Sequence, residues 1–337
     1  MENRKIKFAI VGCGSIGKRH IAVLKENPDV ELVAICDIDE NQCLAQSDLY
    51  HGITYFAKFN EMLDSIEADI INVVTPHALH ASMSIEALNK GFNVLVEKPM
   101  ALTAKDCEEM ISTANRVEKK LWVVKQNRYN VPVTLANNAI ENGRLGKIFM
   151  VKCDILWNRY QGYYDDSPWR GNKGEEGGAL FTQASHFIDL LIWWCGDIVD
   201  VNGMMDTQNH NIETEDSGIA NLKFENGAMG SLVWTTCVYN KNYEGSITII
   251  GEKGTIKIGG KYLNEIIFWD VEGFPLDEKI EYTDKPNSYG KYQGTSSNHD
   301  KVFAAIIANL QNKKSLTVEG LAGKKTVEAI EQIYNKL

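Results

Sequence analysis

Short apolar runs alternate with amphipathic segments along the first third of the chain. The runs lie at residues 8–11, 32–36, 70–74, 93–96 and 121–124. The segments between them carry apolar residues at helical spacing. Strands that alternate with helices in this way are typical of a parallel sheet covered on both faces. We therefore predict an α/β domain with a doubly wound parallel sheet over residues 1–126.

The pattern changes after Asn130. Longer runs with alternating apolar and polar residues follow, at 148–157, 219–224, 228–236, 246–250 and 255–258. Such alternation indicates antiparallel strands with one covered face. We predict that residues 127–337 form an α+β domain with a large, mostly antiparallel open sheet.

Turns and helices complete the prediction for this part of the chain. The segments 225–227 and 252–254 each end in glycine and are predicted hairpin turns. Helices are predicted at 132–142, 183–194, 301–310 and 318–334. The last two helices can pack back on the first domain.

Composition narrows the class of protein. The chain has 337 residues, 44% of them hydrophobic, and a formal net charge of −10 at pH 7. Neither sign of charge forms a long run, so we expect no nucleic-acid partner. No apolar run reaches the length of about 18 residues that a membrane helix needs, and no secretory leader is evident, so we expect a cytoplasmic protein without a membrane partner. The seven cysteines form no CxxC pair and are expected to be reduced and buried.

A glycine-rich turn follows the first apolar run. Gly12, Gly14 and Gly17 have the spacing of the dinucleotide-binding fingerprint, and Ser15 and Ile16 begin the predicted helix. In that fingerprint the glycines allow a tight turn, close approach of the backbone to a pyrophosphate, and close packing of the helix on its strand. Two phosphates can then bind at the helix N-terminus.

Asp37 ends the second apolar run, about 20 residues after the last glycine of the turn. A carboxylate there accepts hydrogen bonds from both ribose hydroxyls and repels a 2′-phosphate. Because no Arg or Lys follows at 38–40, the sequence favours NAD over NADP as the cofactor.

Two loops are predicted to open towards the nicotinamide. Thr75 and Pro76, which follow the third run, are candidate neighbours of that ring. His77 and His80 resemble a pair of metal ligands, but no cysteine or carboxylate cluster accompanies them. We therefore expect helix-cap and packing roles for both histidines and no metal site.

Glu97-Lys98-Pro99 ends the next apolar run, at the sheet edge where doubly wound folds bind ligands. Near a nicotinamide, Lys98 could hydrogen-bond the reacting hydroxyl and accept or relay its proton. The alternative is a surface lysine paired with Glu97. Pro99 allows a cis peptide bond, although base rates favour the trans isomer.

A glycine pair at 177–178 precedes a predicted helix with His186 in its first turn. Histidine can serve as acid or base close to neutral pH. A structural histidine is the alternative. In a dinucleotide enzyme that also carries Lys98, we favour the catalytic interpretation.

Taken in order, the glycine turn, Glu97-Lys98-Pro99, the segment 177–189 and the final segment 320–330 resemble the Gfo/Idh/MocA family of sugar-type oxidoreductases. The likeness runs end to end. It implies a Rossmann domain followed by an open antiparallel-sheet domain. It also implies a homo-oligomer, a dimer or tetramer assembled through that sheet, and hydride transfer between NAD(P) and a carbohydrate carbinol.

Four further segments resemble one branch of that family, at 126–130, 163–171, 183–186 and 287–290. The branch oxidises the C3 hydroxyl of UDP-N-acetylglucosaminuronate with NAD. The resemblance implies a UDP-sugar substrate and a 3-keto product that feeds surface-polysaccharide synthesis of the LPS O-antigen type. In such enzymes 2-oxoglutarate can reoxidise the cofactor in place.

The motifs and the resemblance together give the expected site residues, with Lys98 and His186 as the catalytic pair. The cofactor is expected to contact Gly12, Gly14, Ser15, Ile16, Gly17, Asp37, Thr75, Pro76, His80, Glu97, Lys98, Asn127, Trp169 and Arg170. The substrate is expected to contact Lys98, Arg159, Tyr163, Tyr164, Thr182, Gln183, His186, Ser288 and Tyr289. The candidate cations for its diphosphate and carboxylate are Arg159, Arg170, Lys173, Lys285 and Lys291.

Thr182 departs from the broad family pattern. Many members have an Asp four residues before the histidine, one helical turn away. Threonine cannot shuttle a proton as a carboxylate can, so the acid and base roles are expected to rest on Lys98 and His186. Two alternatives stay open: a dehydrogenase of a free sugar or inositol-like cyclitol, and a catalytically silent NAD-binding sensor.

Overall fold

The computed structural model describes residues 4–277, 280, 282, 286–288 and 293–337. These residues form two units. The first unit combines the chain up to Val124 with His299–Lys324, and the second combines Lys125–Asn298 with Lys325–Leu337.

A six-stranded parallel sheet forms the centre of the first unit. Its strands are Ile6–Val11 (β1), Val30–Cys36 (β2), Thr54–Phe56 (β3), Ile70–Val73 (β4), Asn93–Val96 (β5) and Leu121–Val123 (β6). Their order is β3-β2-β1-β4-β5-β6, so the direction of winding reverses between β1 and β4. In doubly wound sheets, ligands bind at the carboxyl ends of the strands beside this reversal. The sequence does not predict β3, because none of its three residues is buried.

Five helices connect these strands. They are Ser15–Glu26 (α1), Glu40–Leu49 (α2), Phe59–Ser65 (α3), His80–Asn89 (α4) and Ala104–Arg116 (α5). The longest, α5, shows why they form: the Thr103 hydroxyl accepts a hydrogen bond from Asp106 N at 3.0 Å and caps the first turn. Its buried residues Cys107, Met110 and Ala114 recur at helical spacing.

The second unit contains a seven-stranded sheet. Its strands are Ile148–Leu156 (β7), Ile198–Asp206 (β8), Ser217–Phe224 (β9), Met229–Thr235 (β10), Glu244–Gly251 (β11), Gly254–Gly259 (β12) and Glu265–Val271 (β13). Their order is β13-β12-β11-β7-β10-β9-β8, and only β7 and β10 pair in parallel. A separate ribbon contains Pro286–Ser288 (β14) and Gln293–Ser296 (β15).

One face of the large sheet is buried and the other is exposed. Along β9 the residues alternate regularly between buried and accessible positions, as predicted. Both predicted hairpins are confirmed, since β9 pairs with β10 and β11 with β12 in antiparallel fashion. The edge strands β8 and β13 were not predicted, because their exposed residues outnumber the buried ones and hide the alternation.

Four helices of the second half begin within a few residues of their predicted positions, and a fifth, short helix was not predicted. They are Val131–Glu141 (α6), the short Gln161–Asp165 (α7), Ser185–Cys195 (α8), His299–Leu310 (α9) and Gly320–Lys336 (α10). The α8 helix contacts β7 and buries every residue except Trp193. A π-helical turn, Leu180–Ala184, directly precedes it. Among the helices described, none is both long enough and apolar enough to cross a bilayer.

Candidate active site

The glycine turn between β1 and α1 has the shape that a dinucleotide requires. Gly12 has a φ of +102°, and a Cβ at this position would lie 2.3 Å from Val74 O. A Cβ on Gly17 would lie 1.9 Å from Gly12 O. By contrast, a Cβ on Gly14 would have no neighbour within 4 Å. Gly14 is also the N-cap residue of α1, and because glycine has no side chain, no side-chain hydrogen bond caps the first N–H groups of this helix. The turn therefore offers room and backbone donors for a pyrophosphate.

The first residues of α1 and the carboxylate of Asp37 lie beside this turn. Ser15 is exposed and Ile16 is half-buried. Asp37 Oδ2 accepts a hydrogen bond from Cys13 N at 2.6 Å, and Oδ1 accepts one from Asp39 N at 2.9 Å. These bonds fix the carboxylate at the end of β2, where it retains capacity to accept ribose hydroxyls.

His80 joins the two loops that follow β4 and β5. Its Nδ1 lies 2.7 Å from Pro99 O and its Nε2 lies 2.9 Å from Thr75 O. Burial lowers the pKa of His80, and the two carbonyl groups oppose this shift. The predicted packing role of His80 is therefore confirmed. The predicted helix-cap role is wrong for α4, since no side chain caps the first turn of this helix. Direct contact of His80 with a cofactor stays a prediction. Thr75, Pro76 and Lys98 are partly exposed at the same edge of the sheet.

The Lys98–Pro99 peptide bond is cis, contrary to the base-rate expectation. The sequence provides no signal for this isomer beyond the proline itself, before which the energetic preference for trans is small.

The carboxylate of Glu97 is directed into the first unit. Its Oε1 lies 3.0 Å from His20 Nε2 and 3.6 Å from His299 Nε2, while its Oε2 accepts a hydrogen bond from Lys98 N at 2.9 Å. Burial alone would raise the pKa of Glu97, but the two imidazoles outweigh burial and hold this pKa well below its usual range. Glu97 therefore anchors the backbone of Lys98. Its expected contact with the cofactor stays a prediction.

His186 lies in the first turn of α8, in the second unit. It is 3% exposed, and its Nε2 lies 3.4 Å from Gln126 Nε2. Gln126 follows β6 in the chain, but the sequence did not identify it as a site residue. Its position after a buried strand was the available signal.

One turn further along α8, Asp189 is held by two cations. It accepts hydrogen bonds from Arg128 Nε and Nη2 at 2.8 and 2.9 Å, and Lys125 Nζ lies 3.4 Å away. Burial would raise the pKa of Asp189, but the charges of Arg128 and Lys125 outweigh burial and lower it. Thr326 donates a further hydrogen bond at 3.1 Å. This buried network fixes the helical turn that carries His186.

Thr182 is the only residue from Gly178 to Ile192 that is not buried. Its Oγ1 donates a hydrogen bond to Glu176 Oε1 at 3.0 Å. The other oxygen of this 2%-exposed carboxylate accepts a hydrogen bond from Gly171 N at 2.5 Å. A carboxylate therefore lies beside position 182 although the residue itself is threonine. The sequence did not single out Glu176.

The backbone at the start of the π-helical turn is hydrogen-bonded to a buried acid, Glu215, which the sequence did not identify. Glu215 Oε1 accepts hydrogen bonds from Leu180 N at 3.2 Å and from Tyr334 Oη at 2.8 Å. Burial raises the pKa of Glu215 to about 7, although its hydrogen bonds oppose the shift. Gly178 is required here, because a Cβ would lie 2.3 Å from Tyr334 Oη and 2.6 Å from Glu215 Oε2.

The structure brings five of the predicted residues together around one aromatic ring. The Cζ atoms of Arg159 and Arg170 lie 5.2 and 4.1 Å from the centre of the Tyr163 ring. Arg170 also lies 5.5 Å from the ring of Trp169, and Gln183 Nε2 donates to Tyr163 Oη at 3.5 Å. The two guanidinium groups bring positive charge to this part of an acidic protein. Arg159 is 5% exposed and its Nη1 donates to Asn158 O at 2.6 Å, whereas Arg170 is partly exposed.

The structure gives the positions of three other predicted residues of the second unit but no contact that bears on a ligand. Tyr164 is buried and its hydroxyl lies 3.1 Å from Thr236 Oγ1, while Asn127 is 2% exposed. Their contacts with ligands stay predictions. Ser288 lies on β14. The predicted residues that fall outside the described part of the chain are Tyr289, Lys285 and Lys291.

Among the residues that the structure describes, two clusters have the residue types of metal sites, and all their members except the half-buried Cys237 are buried. They are His20 with Glu97 and His299, and His210 with Asp216 and Cys237, and in each the potential ligand atoms lie within 4.8 Å of one another. In the second cluster His210 Nδ1 lies 2.9 Å from Asp216 Oδ2. Short-range spacing in the sequence could not reveal the first cluster, because its members come from distant segments; in the second, His210 and Asp216 are near in sequence and Cys237 is not. The expectation of no metal stays a prediction.

Two family models match the chain. Residues 6–125 match the oxidoreductase family with an NAD-binding Rossmann fold, and residues 133–257 match the GFO/IDH/MocA C-terminal domain. These matches cover the six-stranded sheet and much of the seven-stranded sheet.

Solved structures extend the likeness over nearly the full chain. The WlbA dehydrogenase from Bordetella pertussis, solved with NADH and UDP-GlcNAcA, is 36% identical, with 99% of this chain and 96% of that chain covered and a TM-score of 0.89. The WlbA dehydrogenase from Chromobacterium violaceum, solved with the same two ligands, is 37% identical, with coverage of 100% and 94% and a TM-score of 0.90.

Curated relatives are more distant and more varied. The 1-carboxy-3-chloro-3,4-dihydroxycyclohexa-1,5-diene dehydrogenase of Comamonas testosteroni is 27% identical over 257 residues, which cover 74% of this chain and 63% of that protein. The chain spans about three fifths of the length of the curated relatives it matches first. The family models and the WlbA structures nevertheless agree over both units, and this chain belongs to the Gfo/Idh/MocA family of oxidoreductases, with an NAD-binding Rossmann domain at its N-terminus.

Proposed function

We propose that this protein oxidises the C3 hydroxyl of UDP-N-acetylglucosaminuronate, with NAD as the hydride acceptor, to give the 3-keto sugar. The observation that carries the proposal is the likeness to two WlbA dehydrogenases, at 36% and 37% identity over 99% and 100% of this chain. Both were solved with NADH and UDP-GlcNAcA. The choice of C3 follows from the branch of the family that the sequence resembles.

The residues of the first unit fit the cofactor. The pyrophosphate binds at the N-terminus of α1, where Gly14 leaves open space, and Asp37 accepts the ribose hydroxyls. The same carboxylate repels the 2′-phosphate of NADP. When bound, NAD accepts a hydride from the carbon that carries the reacting hydroxyl.

Lys98 and His186 act on the proton of that hydroxyl. Glu97 fixes the backbone of Lys98 through the hydrogen bond from Lys98 N, and the network around Asp189 fixes the helical turn of His186. As the hydride departs, one of the two groups removes the hydroxyl proton. A hydrogen bond to the developing alkoxide lowers the barrier, because it strengthens as negative charge builds on the oxygen.

The anionic parts of the sugar nucleotide bind at the arginine pair. Arg159 and Arg170 both lie beside Tyr163, and arginine can meet a phosphate or carboxylate with two parallel hydrogen bonds. Trp169, which is partly exposed, adds an aromatic face on which uracil or sugar can stack. These contacts give the net negative protein a local preference for an anionic substrate.

Formation of NADH tests the activity. The wild-type protein is incubated with NAD and either UDP-N-acetylglucosaminuronate, UDP-N-acetylglucosamine, a free aldose or an inositol, and NADH is followed by its absorbance. We expect the uronate to have the highest kcat/KM. A higher value for inositol or a free aldose would favour the alternative of a free-sugar or cyclitol dehydrogenase.

Two substitutions test the catalytic pair. We expect Lys98→Met and His186→Ala each to lower kcat by about 10² to 10⁴, as loss of a general acid or base does. NADH binding, measured by fluorescence, should change little. The control is Lys105→Met, which removes the same charge from an exposed site. Wild-type turnover in both active-site variants would contradict the assignment.

A homo-oligomer is part of the proposal. On the exposed face of the large sheet, Met150 pairs with Ile250 on one side and with Met229 on the other, and Ile219 pairs with Met204. Their exposed fractions range from 38% to 71%, which makes an apolar surface suited to a second copy of the chain. Light scattering would distinguish a monomer from the dimer or tetramer that we expect.

A cytoplasmic location is an expectation from the sequence and stays part of the proposal. Two finer expectations follow from the resemblance alone: a product used in surface-polysaccharide synthesis, and reoxidation of NADH by 2-oxoglutarate. The last can be tested directly. Protein loaded with NADH is mixed with 2-oxoglutarate, and we expect 2-hydroxyglutarate to form. Its absence would leave free exchange of the cofactor as the route of turnover.

A further inference from the structure

Thr182 is the accessible residue in an otherwise buried segment of the second unit. It lies in the π-helical turn, four residues before His186, and both of its neighbours, Phe181 and Gln183, are buried. Thr182 is therefore the most accessible residue of the segment from Gly178 to Ile192. What this hydroxyl can bind depends on where its single proton points.

Glu176 sets the direction of that proton. Its Oε2 accepts the hydrogen bond from Gly171 N at 2.5 Å, and its Oε1 accepts the one from Thr182 Oγ1 at 3.0 Å. A backbone N–H can only donate, and an ionised carboxylate accepts at both oxygens. Because a hydroxyl has one proton, any other group that hydrogen-bonds Thr182 Oγ1 must donate to it.

We propose that Thr182 accepts a hydrogen bond from a sugar hydroxyl of the substrate, and that Glu176 is a positioning residue that holds Thr182 as an acceptor. The inference rests on the proposed function, since it takes the substrate to be a sugar. It also sets the orientation of that sugar. Phosphate and carboxylate oxygens cannot donate to Thr182 and are repelled by Glu176, so the anionic parts of the substrate lie at Arg159 and Arg170 instead.

The substitution Glu176→Gln reverses the polarity of this hydrogen bond at nearly constant volume. The amide oxygen must face Gly171 N, so the amide nitrogen faces Thr182 and donates to its oxygen. The Thr182 hydroxyl then becomes a donor. We expect kcat/KM for the sugar to fall about tenfold to a hundredfold, the range for a mispaired buried hydrogen bond, with NADH affinity unchanged.

The matched control is Glu175→Gln, which removes the same charge from the exposed neighbouring residue. This variant should keep the wild-type kcat/KM. A loss in both variants would point to the charge of the loop and would overturn the specific role of Glu176.

A double-mutant cycle distinguishes positioning from a purely structural role. Thr182→Val removes the hydroxyl and should lower kcat/KM to a similar degree, whereas Thr182→Ser should keep most of it. If Glu176 acts through Thr182, adding Glu176→Gln to Thr182→Val causes no further loss of kcat/KM. An equal loss in both backgrounds would overturn the inference, because it would mean that Glu176 acts by holding Gly171.

The Thr182 variants still test the inference if Glu176→Gln fails to fold. In that case Thr182→Val with wild-type kinetics overturns the inference, and a loss that Thr182→Ser restores supports it. The substrate for all variants is whichever sugar the wild-type enzyme oxidises best, so an error in the UDP-uronate assignment leaves the test intact. A wild-type enzyme that oxidises no sugar contradicts both the inference and the proposed function.

Discussion

The two units hold their functional groups by different means. In the first unit, the cofactor-binding features are backbone features: a glycine turn, the N-terminus of α1 and a carboxylate fixed by two backbone N–H groups. In the second unit, the segments that carry His186 and Thr182 are held by buried side chains. Asp189 and Glu176 lie close to them in the chain, and Glu215 comes from a distant segment. In the proposed function, recognition of the cofactor therefore needs little more than local backbone shape, whereas the proposed sugar site depends on buried charges.

The largest loss of stability and cofactor binding is expected from a substitution in the glycine turn of the first unit. Gly17→Ala forces a clash with the backbone, since the added Cβ would lie 1.9 Å from Gly12 O. We expect the variant to lose about 3 kcal/mol or more of stability and its measurable NAD binding. Gly14→Ala is the control for packing: nothing lies within 4 Å of its Cβ, so it should fold normally and lose only cofactor affinity. Calorimetry with and without NAD measures both effects.

A comparable loss is expected from Asp189→Asn in the second unit. The change leaves Arg128 and Lys125 buried without their counter-charge, which costs about 3 to 5 kcal/mol of unfolding free energy. Asp197→Asn breaks an exposed ion pair with Lys325 instead and should cost at most about 1 kcal/mol. Urea denaturation compares the two. Equal, small losses would mean that the buried network does not hold α8.

The buried acid Glu215 predicts a dependence of stability on pH. Its pKa is about 7 in the folded protein against a reference value of 4.5, so between these values the folded state keeps a proton that the unfolded state has lost. Stability therefore falls as pH rises through this window, by up to about 3 kcal/mol. Glu215→Gln removes the penalty, and its melting temperature relative to wild type should rise from pH 5 to pH 8. A difference that is constant with pH would contradict the assignment.

The smallest expected effect concerns the choice of cofactor. Asp37→Ser removes the carboxylate that Cys13 N fixes at the end of β2. We propose that this carboxylate accepts the ribose hydroxyls and repels a 2′-phosphate. We expect KM for NAD to rise about tenfold, equivalent to about 1.4 kcal/mol. We also expect the ratio of kcat/KM with NAD to kcat/KM with NADP to fall. Steady-state kinetics with both cofactors measures the ratio. An unchanged ratio would mean that residues other than Asp37 determine the selectivity for NAD over NADP.

The same difference between the two units explains which residues and strands could be predicted from the sequence. The positions of the glycine turn, Asp37 and Lys98 after their strands could be predicted, because each follows a buried apolar run. Their roles toward the ligands stay predictions. Glu176 and Glu215 were missed, because an acid in a loop has the same pattern whether it is exposed, as Glu175 is, or buried beneath the site. The edge strands β8 and β13 were missed for a related reason: few of their residues enter the core.

Transfer of a labelled hydrogen tests the central claim most directly. UDP-N-acetylglucosaminuronate carrying deuterium at C3 is oxidised with NAD, and the reduced cofactor is analysed by mass spectrometry. The account predicts that the deuterium appears in the reduced nicotinamide and that turnover of the labelled substrate is no faster than that of the unlabelled one. Reduced cofactor without deuterium, or no reduction of NAD at all, would contradict it.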